Sequence, residues 1–263
     1  MTRLFNKIII YLFMLYLYQV VCYQPILNLL AFLYNNTADL GIAIILMTII
    51  IKLALWPLSQ KAIKSQTELQ AIQPKIDELK KKFADNKAEL GQATMNLYKE
   101  HKINPLSSCL PLLIQLPFLF AVFRVLRTGL QEDLGLVYSF LAKPTNFHTL
   151  SLGFMDLSKP IIYLAVLAGV AQFIQSKMML AKQKKANIGQ KDSSTEESMT
   201  NIMNKQMTYI FPVMTVVFGL SLPGGLTLYW FMFTALTVLQ QFLVLRMKKD
   251  TVIPGPIEGE IIK

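Results

Sequence analysis

Five long apolar segments, separated by polar or charged stretches, dominate the chain. They are Leu40–Leu58, Leu106–Leu126, Pro160–Leu180, Met207–Leu222 and Leu226–Leu245. An α-helix needs about 20 mostly apolar residues to cross the hydrocarbon core of a bilayer, and each segment approaches that length. The pattern therefore predicts an all-α fold: a polytopic membrane protein with five core transmembrane helices.

A sixth apolar segment, Ile8–Cys22, is shorter and follows two basic residues. Residues 1–22 are therefore either a retained N-terminal span or a cleaved signal peptide. Residues 23–39 follow, with Pro25 at a position where it can begin a helix and apolar residues at helical spacing beside polar ones. This pattern predicts an amphipathic interfacial helix on the outer membrane surface.

A charged insert, residues 59–104, interrupts the apolar pattern and predicts a helical hairpin. Its first arm carries apolar residues at alternating spacings of three and four, which form one stripe along a helix. The members of this stripe are Leu69, Ile72, Ile76, Leu79 and Phe83. Asp85 and Asn86 should end this arm, and Pro74 should bend it or divide it in two.

Residues 40–247 form the predicted core, with two polar segments at its cytoplasmic side. The loop 181–206 is rich in Ser, Thr and Lys, and the tail 248–263 contains two prolines. Both segments are predicted to be disordered or mobile.

Composition and charge support this topology. The chain has 263 residues, 53% of them hydrophobic, and a mean hydropathy of +0.42, which is too apolar for an ordinary soluble domain. If the hairpin is cytoplasmic, most of the 26 basic residues lie on the cytoplasmic side, as do both termini. The net charge of +10 is thus explained by topology and contact with anionic lipid.

Lys52 lies inside the first core segment, where a charge is expensive. Insertion scales place its cost at about 2.5–3.5 kcal/mol, and such charges usually face a cavity or a partner. No acidic residue lies inside any of the five segments. Lys52 therefore faces either a wet cavity or the cytoplasmic interface. The interface is within reach of its extended side chain, because Pro57 is only five residues away. These two interpretations are compatible.

Polar residues within the other segments could line such a cavity. The last segment repeats polar residues along one helical face, and Thr48 lies one turn from Lys52. The candidate groove residues are Lys52, Thr48, Gln115, Gln172, Gln175, Thr227, Trp230 and Thr234, and Thr237 and Gln241 share the face of the last segment. The alternative for each threonine or glutamine is an interhelical hydrogen bond, worth about 0.6 kcal/mol.

Residues for covalent or cofactor chemistry are scarce. Cys22 and Cys109 give no metal or disulfide framework, and Val21 disfavours lipid modification of Cys22. His101 and His148 fall in different loops. We therefore predict no enzyme, no cofactor and no metal site. A proton or ion pathway is also disfavoured, because no Asp, Glu or His lies at depth.

Two motifs resemble the YidC/Oxa/Alb family of membrane protein insertases. The run NPLSSCLPLLIQLP at 104–117 and the run LPGGLTLYW at 222–230 occur in order, and the resemblance covers about residues 23–247. It extends to the segment IIIKLALWPLSQKAIKSQ at 49–66 and to the stripe of the hairpin.

The resemblance implies five core spans around a hydrophilic groove that is open to the cytoplasm and to lipid. The groove cation of the family, normally arginine, falls on Lys52, and a groove threonine falls on Thr48. The positions that would contact the span of a substrate are Leu116, Leu119 and Tyr229. Lysine keeps the charge but lacks the planar donor fork of arginine, so a point charge in a wet groove is expected to suffice.

The resemblance implies an insertase that inserts and helps fold integral membrane proteins without nucleotide hydrolysis, alone or beside the Sec translocon. Its expected partners are nascent membrane proteins and the lipid bilayer, with the ribosome and the signal recognition particle receptor as further candidates. We expect a multi-pass protein of the bacterial plasma membrane, without the large extracytoplasmic domain or long basic tail of some members. The alternative is a small-molecule transporter or channel, which the lack of an internal repeat disfavours.

Overall fold

The computed structural model describes residues 2–84, 86–104, 110–132, 134–143, 148–186 and 206–247. Most of the predicted loop 181–206, namely residues 187–205, lies outside the described residues. The predicted tail 248–263 lies outside them as well. The described part is mostly helical, with one very short pair of strands.

The N-terminal helices form one continuous stretch of helical backbone. Helix α1 (Thr2–Tyr18) runs through a π-helical turn (Gln19–Tyr23) into α2 (Gln24–Thr37), and Pro25 lies in the first turn of α2. Ala38 ends α2 in the left-handed region, at φ 52°. The inner face of α2 is buried against helices α3 and α7, whose bounds follow.

The first core segment breaks near its C-terminal end. Helix α3 (Leu40–Ala54) ends at Leu55, and α4 (Trp56–Ala71) continues at an angle of 65° to it. Pro57 lies in the first turn of α4, where its missing N–H has no helical partner to lose. Lys52 therefore lies in the last turn of α3, just before the bend.

The charged insert folds as two arms. Helix α5 (Gln73–Lys82) begins with Pro74 in its first turn, so the proline divides the first arm as predicted. The side chain of Asn86 accepts a hydrogen bond from the Glu89 N–H and starts α6 (Lys87–Glu100). Helices α5 and α6 contact each other, and Ile76 of the apolar stripe is buried.

The remaining elements are four long or apolar helices, two short helical turns and a small β-hairpin. They are α7 (Leu110–Glu132), a 3₁₀ turn (Leu134–Leu136), β1 (Leu150–Ser151), β2 (Met155–Asp156), α8 (Ile162–Ala186), a π-helical turn (Gln206–Ile210), α9 (Phe211–Gly219) and α10 (Gly224–Met247). The strands pair antiparallel, with Leu150 opposite Asp156. This hairpin was not expected from the sequence, because strands of two residues leave no periodic signal.

Helices α8, α9 and α10 pack closely through small residues. A Cβ on Gly219 would lie 2.8 Å from the Cβ of Ala165, and a Cβ on Gly169 would overlap the side chain of Val216. Small residues permit this close approach, which supplies the packing contacts on which helix association in lipid depends. Large apolar side chains on the opposite faces of α8 and α9 are exposed, as expected for contact with lipid.

By length and composition, two helical stretches among the described residues are able to cross a bilayer. They are Tyr11–Thr37 and Gly224–Val244, and the bent pair of α3 and α4 counts as a third if it forms one broken span. Ile162–Met178 and Thr208–Gly219 are shorter apolar helices. The fold is therefore that of an all-α membrane protein, and the core of five spans stays a prediction.

Asp39 joins the start of α3 to the β-hairpin. Its carboxylate accepts hydrogen bonds from the Ile42 N–H (3.0 Å), the Ser151 hydroxyl (2.6 Å) and the Leu152 N–H (2.7 Å). Burial alone would raise the pKa of Asp39, but these hydrogen bonds outweigh it and hold the pKa below its usual value. Asp39 is thus both the N-cap of α3 and the anchor of the hairpin.

We predict that Asp39→Ala lowers the free energy of unfolding by about 1–2 kcal/mol, the usual range for a lost cap. Thermal unfolding of the detergent-purified protein measures this, with Glu78→Ala, an exposed carboxylate on α5, as the control. Because the pKa is lowered on folding, the ionised Asp39 stabilises the protein at neutral pH. This contribution falls as pH drops below the ordinary aspartate value. An Asp39→Ala protein as stable as the Glu78→Ala control would contradict the prediction.

Candidate functional site

Lys52 is buried between α3 and α10. Its side chain is 2% exposed, and its Nζ donates a hydrogen bond to Thr237 Oγ1 at 2.9 Å. The same ammonium lies over the ring of Phe233, 4.6 Å from the ring centroid. A hydroxyl oxygen and the negative face of an aromatic ring both stabilise a cation without a carboxylate. In the described part of the chain, Lys52 makes no ion pair.

A second polar contact joins α7 to the same face of α10. The Gln115 Nε2 donates to the Tyr229 hydroxyl at 2.9 Å, and the Tyr229 ring lies 6.1 Å from that of Phe233. Tyr229, Phe233 and Thr237 are four residues apart, so they form one stripe along α10. We call this set the α10 stripe. It connects the Gln115 amide to the Lys52 ammonium.

Thr48 uses its hydroxyl within its own helix. It is fully buried, and its Oγ1 donates to the Ile44 carbonyl oxygen at 2.6 Å. Threonine hydroxyls commonly make this bond to the carbonyl four residues earlier. The structure therefore places Thr48 one turn from Lys52 on the buried side of α3. Its hydroxyl oxygen can still accept a hydrogen bond, whereas its proton is already donated to Ile44.

The other predicted residues of the last helix lie on a neighbouring face. Thr227 and Thr234 are buried, and Trp230 is half-buried. Thr227 Oγ1 lies 3.4 Å from the carbonyl oxygens of both Gly219 and Pro223, so it fastens the turn that joins α9 to α10. Thr227 thus makes a hydrogen bond to the neighbouring helix, which is the alternative that the sequence analysis gave for each threonine.

The remaining predicted residues lie on α7 and α8. Gln172 and Gln175 are half-buried on α8, a helix that contacts α10. Leu116 and Leu119 are half-buried on α7, and Leu119 packs against the apolar core. The structure brings Lys52, Gln115 and Tyr229 into one connected set through the α10 stripe. Gln172 and Gln175 have no contact with that set among the hydrogen bonds of the described residues.

Two contributors to the site were missed at the sequence level. Phe233 was overlooked because an apolar residue on an apolar helix gives no signal, although its spacing of four from Tyr229 and Thr237 was visible. Gln240 was passed over in favour of its neighbour Gln241. It is fully buried, and its Nε2 donates to the Trp56 carbonyl oxygen at 3.1 Å.

The side-chain amides of Gln115 and Gln240 each keep one unsatisfied atom. The Oε1 of both residues is buried without a hydrogen-bond partner among the described residues. A buried acceptor without a donor raises the free energy of the arrangement that contains it. The site therefore holds two buried acceptors without donors near the α10 stripe and the Lys52 cation. In the described residues, no three His, Cys, Asp or Glu side chains form a group that could hold a metal.

Comparison with known proteins shows the family to which the chain belongs. The family described as "60Kd inner membrane protein" matches residues 32–251, which is most of the chain. The chain belongs to this family. It is the YidC/Oxa/Alb family that the two sequence motifs resembled, so that prediction is confirmed.

Curated relatives cover the same region. A "Membrane protein insertase YidC" from Fusobacterium nucleatum is 38% identical over 229 residues, which cover 85% of this chain and 97% of the relative. Proteins of the same name from Citrifermentans bemidjiense and from Geobacter sp. strain M21 are each 35% identical. The alignments cover 86% and 84% of this chain, but only 37% and 36% of those two longer relatives.

We predict that Tyr229→Phe destabilises the protein by about 1–3 kcal/mol, because the Gln115 amide loses its partner while it stays buried. Gln115→Leu should then cost less in the Tyr229→Phe background than in the native protein, since both changes remove the same bond. Unfolding of the four proteins of this double-mutant cycle in detergent measures the coupling. Additive effects would show that the Gln115–Tyr229 bond contributes nothing to stability.

Proposed function

We propose that this chain is a membrane protein insertase, which inserts and helps fold integral membrane proteins through a groove lined by the α10 stripe. The observation that carries the proposal is the buried Lys52 ammonium, held by a hydroxyl and an aromatic ring rather than by a carboxylate. The names of the relatives support it. We further propose five core spans in a bacterial plasma membrane, with the C-terminus and the α5–α6 arms cytoplasmic.

The physical task is to carry a polar segment of a substrate across lipid. Hydrocarbon cannot satisfy backbone N–H and C=O groups, and each unsatisfied group costs several kcal/mol. A groove that admits water part-way through the bilayer shortens the apolar distance that such a segment must cross. The apolar span of the substrate would meanwhile leave sideways into lipid along Leu116, Leu119 and Tyr229.

Lys52 would supply the attraction for acidic residues in the translocated segment. A neutral hydroxyl and a ring hold a cation more weakly than a carboxylate does, because they present only partial negative charge whereas the carboxylate carries a full one. An incoming carboxylate can therefore displace Thr237 from Lys52. The same contact is readily reversed when the segment moves on, because Thr237 and Phe233 remain to receive the ammonium.

Driving force and partners follow from this scheme. Hydrophobic partitioning of the substrate span and the membrane potential would drive the reaction, since the potential is worth about 2.3 kcal/mol per charge per 100 mV. The proposed partners are nascent membrane proteins and lipid, with the ribosome, the signal recognition particle receptor and the Sec translocon as further candidates. A small-molecule transporter is the alternative, and no contact among the described residues favours it.

We predict that Lys52 determines the insertion of substrates with acidic tails. Liposomes that contain this chain alone receive a single-span substrate, and protease protection of its tail measures insertion. Lys52→Leu and Lys52→Glu should reduce protection of an acidic tail several-fold, whereas Lys52→Arg should retain it because the charge is kept. A neutral-tailed substrate and Lys61→Leu, an exposed lysine on α4, are the controls. Equal protection with all variants would remove the electrostatic step.

We also predict that the α5–α6 arms receive substrates or partners before the groove does. Replacing residues 73–100 by a short Gly-Ser linker should lower insertion while the purified protein keeps its thermal stability, because α4 and the bundle remain. The matched control is a variant in which the exposed charged residues of α6 exchange places. It keeps the helix and changes only the charge pattern of its surface. Collapse of membrane assembly in the deletion protein would mean that the arms are structural.

A further inference from the structure

We propose that the tip of the β-hairpin, residues 150–154, is a lipid anchor. Its apolar side chains enter the interfacial layer of the membrane and fix the depth at which α3 and α10 begin. The side chains are those of Leu150, Leu152 and Phe154. The anchor goes beyond the insertase proposal and does not depend on it, because it requires only a bundle that is embedded in a membrane.

The hairpin tip exposes large apolar side chains. Leu150 is 52% exposed, Leu152 is 56% exposed and Phe154 is 71% exposed. The base of the hairpin is polar instead, since the Asp156 carboxylate accepts a hydrogen bond from the Thr149 hydroxyl at 3.0 Å. Exposed apolar side chains that are gathered beside polar residues are typical of a surface that contacts a membrane or another protein.

Leu152 occupies a position of the turn that leucine does not favour. The Phe154 N–H donates to the Ser151 carbonyl oxygen at 3.2 Å, and the two residues between them, Leu152 and Gly153, have φ values of 52° and 78°. Two positive φ values are typical of a type I′ turn, in which Asn, Asp or Gly is the usual first central residue. A bulky side chain is strained there, and this one is exposed rather than packed in the core. A contact outside the chain would explain the leucine.

The hairpin lies beside the first turn of α3. The Leu152 N–H donates to the carboxylate of Asp39, the residue that precedes α3. Ser151 packs so closely against Gly41 that a Cβ on this glycine would overlap the serine side chain. The tip is therefore level with the start of a membrane helix.

The segment after β2 fixes the hairpin to α10 as well. The carbonyl oxygens of Leu157 and Lys159 accept hydrogen bonds from the N–H groups of Gly225 and Gly224, respectively. The 21 residues of Gly224–Val244 extend about 31 Å as a helix, which matches a hydrocarbon core of about 30 Å. One boundary of the hydrocarbon therefore lies close to Gly224, and the hairpin lies at this boundary. In the topology proposed above, it is the outer one.

Lipid is the partner that this position favours. Helix α8 begins shortly after the hairpin, and Ile162 and Tyr163 in its first turn are exposed, like the other apolar residues on the lipid-facing side of this helix. The hairpin tip thus continues a lipid-contacting surface to the edge of the hydrocarbon. Aromatic and apolar side chains at this depth anchor membrane proteins.

The anchor has a consequence for Lys52. Asp39 caps α3 and also binds the hairpin tip, so the depth of the tip determines the depth of this helix. Leu40 and Lys52 are separated by about 18 Å along α3, at the rise of an α-helix. A tip held at the interface would therefore keep the ammonium group well inside the bilayer.

Fluorescence quenching in lipid nanodiscs tests the contact. In a Cys22→Ser, Cys109→Ser background, Phe154→Cys carries a small NBD fluorophore, and each disc of phosphatidylcholine and phosphatidylglycerol holds one copy of the full chain. We expect strong quenching by a lipid with a nitroxide near its headgroup, and several-fold weaker quenching by aqueous iodide. Val166→Cys, which is exposed on α8, is the reference for lipid. Gln92→Cys, which is exposed on α6, is the reference for water.

Leu152→Asn separates a lipid contact from a structural role. Asparagine suits the left-handed backbone of this turn, so the unfolding temperature in detergent should not fall. Nitroxide quenching at position 154 should nevertheless fall several-fold, because the neighbouring apolar side chain is lost. Leu53→Asn is the matched control, since Leu53 is an exposed leucine at the opposite end of α3 and its change should leave quenching at position 154 unaltered.

Equal iodide quenching at positions 154 and 92 would overturn the anchor. A lower unfolding temperature of Leu152→Asn with unchanged nitroxide quenching would overturn it as well. Shielding from iodide that appears only in discs with two copies, or only when a membrane-protein substrate is added, would assign the tip to that partner instead of lipid.

Failure of the anchor and failure of the insertase proposal are distinguishable, because the quenching is measured without insertion. Loss of the anchor would leave the insertase proposal standing. A tip in contact with lipid, in a protein without insertion activity, would refute the function alone.

Discussion

The arrangement of the core follows from the need to keep one ammonium group in an apolar bundle without a carboxylate. Lys52 has a hydroxyl oxygen and an aromatic face as its partners. Both belong to α10, so the charge fixes the rotation of that helix relative to α3. Tyr229 on the same stripe then meets Gln115 of α7. One cation thus sets the mutual orientation of three helices that are far apart in the chain.

The sequence predicted a mostly helical fold, the proline that divides the first arm and the end of that arm before Asn86, because each depends on local spacing and on residues that stop a helix. It did not predict the partners of Lys52. Several threonines of α10 were equivalent by spacing, and only the rotation of the helix distinguishes Thr237 from Thr234. Phe233 and the choice of Gln240 over Gln241 depend on the same rotation. The β-hairpin was missed because its pairing follows from Asp39, which is distant in sequence.

The glycines at the start of α10 show how closely the bundle is constrained there. Gly224 and Gly225 donate their N–H groups to the carbonyl oxygens of Lys159 and Leu157. A Cβ on Gly224 would lie 2.9 Å from that Lys159 oxygen, which is closer than real side chains approach. The motif that indicated the family therefore contains residues required by packing, beside Tyr229, which belongs to the proposed groove.

Hydrogen bonds from α2 to the segment that follows α7 are made to its backbone atoms. Asn28 binds the carbonyl oxygen of Leu136 and the N–H of Tyr138, Asn35 binds the carbonyl oxygen of Ala142, and the Tyr34 hydroxyl accepts from the N–H of His148. Such hydrogen bonds depend on the position of the main chain and not on the side chains it carries. The exposed side chains of this segment can therefore change while the asparagines and the tyrosine of α2 hold its backbone in place.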